Sequence, residues 1–227
     1  MEADTTIGTE TPKSSKTGNV PTTDVDFNDV LQKVTVKWQA ETWLTLQYTN
    51  QEAFAEKATA YSQALETKTS KSAQRPQITA NLANSEKKMD DAIKHVKGYI
   101  AEKFDADAKN YYPAFGLALN NKTYTLPKDQ NSRLDALDLM IAAIAENDFN
   151  ARTYGKAFWQ DLRTTYQELL ASASNTDGLV SMKAGDKKML KTELKEVLNS
   201  IVNVLRGNFP KTYKEQLRDW GFQKEKY

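Results

Sequence analysis

Cysteine is absent from this chain of 227 residues, which removes disulfides, thiolate metal sites and cysteine nucleophiles together. That absence suits a reducing compartment. Histidine is nearly absent as well: His95 stands alone. A carboxylate-bridged di-iron bundle asks for two Glu-x-x-His motifs on facing helices. Here the residue three before His95 is Ala92, so that centre is excluded. His95 lies beside the apolar stripe Ile93, Val96 and Ile100 and reads as a boundary residue. Ser-His-Asp catalysis would have only His95 as its base, and the chain has no Gly-x-Ser-x-Gly elbow.

Charge of one sign is also missing. Lysine and arginine number 31 against 30 acidic residues, for a formal net charge of +1. No overall field therefore points to nucleic acid or to an acidic partner. Long hydrophobic runs are lacking too. The longest, Leu139 to Ala145, falls far short of the roughly 20 residues that cross a bilayer. The opening Met1-Glu2-Ala3-Asp4-Thr5-Thr6 lacks the basic-then-apolar pattern of a secretion signal. The expectation is a soluble, cytoplasmic protein without membrane insertion. Gly178 to Lys187 looks faintly like a phosphate loop, but its glycine spacing is too long and no Gly-Lys-Ser/Thr follows. No cofactor or metal is implied.

What the chain does have is helical periodicity. Residues 1–23 are rich in Thr, Ser, Lys, Gly and Pro and are expected to form a disordered tail. From there, Phe27, Val30, Leu31, Val34 and Trp38 recur at steps of three and four, with Asp24 or Asp26 placed to cap. The stripe continues through Leu44 and Tyr48. A capping pattern at Thr49-Asn50-Gln51-Glu52 starts a helix carrying Phe54, Ala58, Tyr61 and Leu65. Residues 67–76 are polar, end in Pro76 and read as a loop. Ile78, Leu82, Met89, Ile93, Val96 and Ile100 then form an amphipathic helix ending near Phe104.

Residues 105–130 are too apolar for a solvent loop. Tyr111, Tyr112, Pro113, Phe115, Leu117, Leu119, Tyr124 and Pro127 are expected to pack over a bundle end, with a short hairpin turning at Asn120-Asn121. Helical spacing resumes at Leu134, Leu137, Ile141 and Ile144, and again at Phe158, Leu162, Tyr166 and Leu169. Residues 172–185 read as a polar loop. Met189, Leu190, Leu194, Val197, Ile201 and Leu205 make the last long helix, stopped by Gly207. Tyr213, Leu217 and Trp220 share one face of a short helix begun near Pro210 and ended by Gly221, a latch onto the body.

Two halves share this order. Ala53-Phe54 matches Ala157-Phe158, Lys87-Lys88-Met89 matches Lys187-Lys188-Met189, and Asn110-Tyr111-Tyr112-Pro113 matches Asn208-Phe209-Pro210. Pseudo-repeats over residues 27–113 and 131–210 follow from a diverged duplication. The fold class is thus all-α: a single domain over residues 24–227, an up-and-down antiparallel bundle of two similar αα-hairpin halves with a docked C-terminal helix.

Asp135 and Asp138, beside Arg133, read as solvated surface charges rather than a general acid and base. Lys187, Lys188, Lys191 and Lys195 form the strongest basic cluster, but Glu193 and Glu196 interrupt it and no exposed aromatic interleaves it. The candidate interaction residues are aromatic: Tyr111, Tyr112, Tyr124, Trp220 and Phe222.

The run Tyr154-Gly155-Lys156-Ala157-Phe158-Trp159, with Asn208-Phe209-Pro210-Lys211-Thr212-Tyr213 and Leu217-Arg218-Asp219-Trp220-Gly221-Phe222-Gln223-Lys224-Glu225-Lys226-Tyr227, resembles a family of Bacteroidetes helical proteins to which no activity is attached. The resemblance is closest over residues 208–227 and implies a helical, bacterial, intracellular protein. It carries over no site residues. The expected function is a non-enzymatic interaction or scaffold role, with a protein partner or self-association. The alternatives are a small-ligand-binding bundle using the aromatic connector 111–124 and weak nucleic-acid binding through the Lys187–Lys195 face.

Overall fold

A computed structural model describes residues 18–222. The elements are α1 (Asp24–Ala40), α2 (Gln51–Phe104), α3 (Ala108–Tyr111), β1 (Ala118–Asn120), β2 (Thr123–Thr125), α4 (Gln130–Glu146), α5 (Lys156–Asn208) and α6 (Tyr213–Asp219). The fold is an all-α helical bundle, and most of the residues in its apolar stripes are buried. The chain gathers into two compact units: residues 18–68 with 182–222, and residues 69–181. Each has its own core.

In the first unit, Phe27, Leu31, Val34 and Trp38 of α1 meet Phe54, Ala58 and Tyr61 of α2 and Leu194, Leu198, Ile201 and Leu205 of α5. Thr23 caps α1: its hydroxyl accepts from the Asp26 N–H at 3.2 Å and donates to the Asp26 carboxylate at 2.6 Å. The cap is thus one residue earlier than Asp24, and Asp24 is left to reach α5. Its carboxylate accepts from the ammonium groups of Lys187 and Lys191 and, at 3.1 Å, from the Tyr61 hydroxyl. Burial alone would raise its pKa, but the hydrogen bonds and charges of the two lysines outweigh that and hold it well below the usual carboxylate range.

α1 ends at Ala40, so Leu44 enters the core from a loop and Tyr48 stays 60% exposed, contrary to the continuous stripe expected. Asn50 caps α2, accepting from the Ala53 N–H at 2.8 Å. Of residues 1–23, expected to be a tail, residues 1–17 lie outside the described part, while Asn19 and Val20 are each only 7% exposed.

The latch forms as its spacing requires. Leu217, Trp220 and Phe222 are buried in the first core. α6 stops in a Schellman turn: the Phe222 N–H donates to the Leu217 carbonyl at 2.8 Å, and Gly221 takes φ +84°. Trp220 and Phe222, candidates for an interaction surface, are core residues.

In the second unit, Met89, Ile93, Val96 and Ile100 of α2 pack with Leu137, Met140 and Ile144 of α4 and Trp159, Leu162 and Tyr166 of α5. Trp159 is wholly buried, its indole donating to the Tyr154 carbonyl at 3.1 Å. Gly116, at φ +72°, lets α4 close in: a Cβ there would stand 2.2 Å from the Ala136 carbonyl oxygen. The hairpin forms where expected, with Leu119 opposite Tyr124 and Asn121 and Lys122 in the turn at positive φ.

Two expected loops are helix instead. Residues 67–76 lie inside α2, which runs through Pro76, and residues 172–185 lie inside α5. Pro76 is exposed, so the carbonyl that loses its N–H donor can turn to water, which is how helices tolerate proline. Gly178 and Gly185 have open space around the position a Cβ would take. Consequently Lys87-Lys88-Met89 and Lys187-Lys188-Met189 both fall mid-helix. Their environments differ, Met89 being buried and Met189 64% exposed.

Candidate anion-binding site

The second unit holds a cavity of about 480 Å³ between α2, the hairpin and the start of α4. α2 contributes Asp90, Ile93, Lys94 and Lys97, one helical face by their three- and four-residue spacing. The hairpin and the segment after it add Asn120, Asn121, Thr123, Tyr124, Thr125 and Leu126, and Lys128 and Arg133 close the wall. Four cationic side chains therefore line the cavity against one carboxylate.

Arg133 is the informative member. It sits in the first turn of α4, where Asp129 caps by accepting from the Ser132 N–H at 2.9 Å. It is only 5% exposed. Its Nε donates to the Pro127 carbonyl at 2.8 Å, which ties the guanidinium to the segment leaving the hairpin. Its Nη1 is buried and has no hydrogen-bond partner. The nearest countercharge, the Glu86 carboxylate, is 4.0 Å away, too far for a hydrogen bond. That same Glu86 oxygen accepts from the Tyr166 hydroxyl at 2.9 Å. Burial, and then the bond to Glu86, push the Tyr166 phenol above its ordinary pKa, so it stays a neutral donor.

Lys97 faces the hairpin. Its ammonium donates to the Tyr124 carbonyl and lies 5.7 Å from the centre of the Tyr112 ring. Burial lowers its pKa, the signature of a charge with too few partners. Lys94, also on the wall, is well exposed and already pairs with Asp91 at 3.0 Å, so its charge counts for less. The cavity thus gathers positive charge that the surrounding protein neutralises incompletely, an arrangement that attracts an anion and holds it by charge-assisted hydrogen bonds.

The aromatic connector packs against the second core, as its apolar composition leads one to expect. Tyr111 stacks on Phe104 with ring centres 3.6 Å apart, and Phe115 is wholly buried. Tyr112 meets Tyr124 edge to face at 5.0 Å. Of these residues only Tyr124 lines the cavity, because the others are used in packing. Arg133, neighbour of the surface carboxylates Asp135 and Asp138, is itself buried. Asp138 instead holds Arg163, with an Nη2 to oxygen distance of 2.9 Å.

The remaining candidates lie elsewhere. His95 stacks on Tyr154 at 4.2 Å. Lys187 and Lys191 of the basic cluster are turned to Asp24. Among the described residues no group of three or more His, Asp or Glu side chains could hold a metal ion, and no helix is long and apolar enough to cross a membrane. Comparison with protein-family models, curated proteins and solved structures finds no match to this chain.

Proposed function

We propose that this protein is a non-enzymatic binding module for a small anionic ligand, held in the pocket beside the hairpin. The observation that carries the reading is Arg133, a buried guanidinium on the pocket wall with an unpartnered Nη1 and a countercharge only at 4.0 Å. Leaving a buried charge this poorly paired is costly, and an anion in the adjacent pocket offsets part of that cost electrostatically. Lys97 and Lys128 on the same wall add to the attraction. The cavity is of the size at which small-molecule sites are found, about 300–1,000 Å³.

Thermal unfolding in phosphate against chloride at matched ionic strength tests this. Phosphate is expected to raise the midpoint, and Lys128→Glu, an exposed change, to remove most of the difference. Equal midpoints in the two salts would count against the proposal.

A second reading is protein interaction at the hairpin. All of β1 is exposed, and Leu119 and Leu139, 63% and 52% exposed, flank a shallow groove there. A strand-pairing partner would use the free β1 edge. Leu119→Lys is expected to abolish self-association or pull-down if that reading holds, and no change in either would argue against it.

A further inference from the structure

Resting on the anion reading above, we infer that the ligand is a phosphate monoester of a small polyol, such as a sugar or cyclitol phosphate. The pocket lining is not uniformly cationic. Asp90 stands on it, and the hairpin brings Asn120, Asn121, Thr123 and Thr125 to it. A carboxylate there repels a ligand that is anionic at every end, such as a tricarboxylate or a polyphosphate. It favours one whose charge is concentrated in a single group and whose other end carries hydroxyl donors. Amide and hydroxyl side chains serve that end as paired donors and acceptors, while Arg133 and Lys97 suit the phosphate. Only Tyr124 offers an aromatic ring, and that ring is already paired edge to face with Tyr112 at 5.0 Å. The pocket therefore lacks the open stacking platform a nucleobase uses, which separates a sugar phosphate from a nucleotide.

The test is isothermal titration of the full chain with glucose 6-phosphate, inorganic phosphate, glucose and citrate. Glucose 6-phosphate is expected to bind at least about tenfold more tightly than any of the other three. Asp90→Asn, at an exposed position, is expected to weaken glucose 6-phosphate several-fold while inorganic phosphate binds as tightly or more tightly, since a repelling charge is gone. Citrate or phosphate binding as tightly as glucose 6-phosphate would overturn the polyol inference while leaving the anion reading in place. Insensitivity of glucose 6-phosphate binding to Asp90→Asn would overturn it as well. Absence of heat with every anion would overturn both. The same chemistry occurs on inositol-phosphate lipid headgroups. Co-sedimentation with phosphatidylcholine vesicles carrying phosphatidylinositol 4-phosphate, without binding of the soluble ester, would also overturn the inference.

Discussion

The Tyr166 hydroxyl holds the Glu86 carboxylate at 2.9 Å, on the oxygen that stands 4.0 Å from Arg133 Nη1. A phenol on one helix thereby restrains the nearest acid from closing on the arginine of another. Tyr166→Phe removes that restraint at a cost of about 1 kcal/mol for the lost hydrogen bond. Glu86 is then free to pair with Arg133, and phosphate affinity is expected to fall several-fold. Denaturant unfolding and titration read the two effects separately, and unchanged affinity would show that Glu86 does not compete with the anion.

Arg133→Met replaces a poorly paired buried charge with an apolar side chain of similar length. Such replacements are often neutral or stabilising by about 1–4 kcal/mol. Stability is expected to hold or rise, while the phosphate-dependent gain in unfolding midpoint disappears. A loss of more than about 2 kcal/mol would mean that the Nε bond to Pro127 outweighs the buried charge.

Asp24 sets an acid limit on the first unit. Its folded pKa lies below its unfolded value, near 3.9. The stability it contributes is therefore fully present above that value and is lost as pH falls toward the depressed one. Asp24→Asn is expected to destabilise at neutral pH by about 2 kcal/mol, the scale of hydrogen bonds to charged groups. It should also flatten the decline in stability below about pH 4. Parallel acid titrations followed by circular dichroism would show this, and curves of identical slope would dismiss the role.

The glycines divide into two kinds. Gly178 and Gly185 sit in exposed helix with open space around a Cβ, so each change to alanine is expected to stabilise by about 1 kcal/mol. Gly116→Ala and Gly221→Ala are expected to destabilise, since both sites have positive φ. The first should be worse. The Cβ at Gly116 stands 2.2 Å from the Ala136 carbonyl oxygen, whereas that at Gly221 stands 2.7 Å from the Lys33 Cβ and Cδ, a looser clash. Chemical denaturation of the four variants gives the ranking.

The helices were legible wherever they bury something. Phe27 to Trp38 and Leu194 to Leu205 repeat every three or four residues because one side of each meets a core. Residues 67–76 and 172–185 bury little beyond Thr176 and Val180. With no apolar stripe to mark them, their polar side chains, Pro76 and glycines resemble a loop. The pocket was harder to read. Lys97 and Arg133 are far apart in sequence, and nothing local distinguishes a buried arginine from the surface charges Asp135 and Asp138 around it. A run of lysines such as Lys187 to Lys195 attracts attention, but the fold turns two of its members to Asp24.

The burial of Trp159 in the second core, with Trp38 and Trp220 in the first and Trp43 beside Phe209, gives the chain a built-in optical separation. A Trp159→Phe protein emits only from the first unit. A protein with Trp38, Trp43 and Trp220 all changed to phenylalanine emits only from the second. Whether the two cores melt together or in sequence can thus be read from intrinsic fluorescence, without a label.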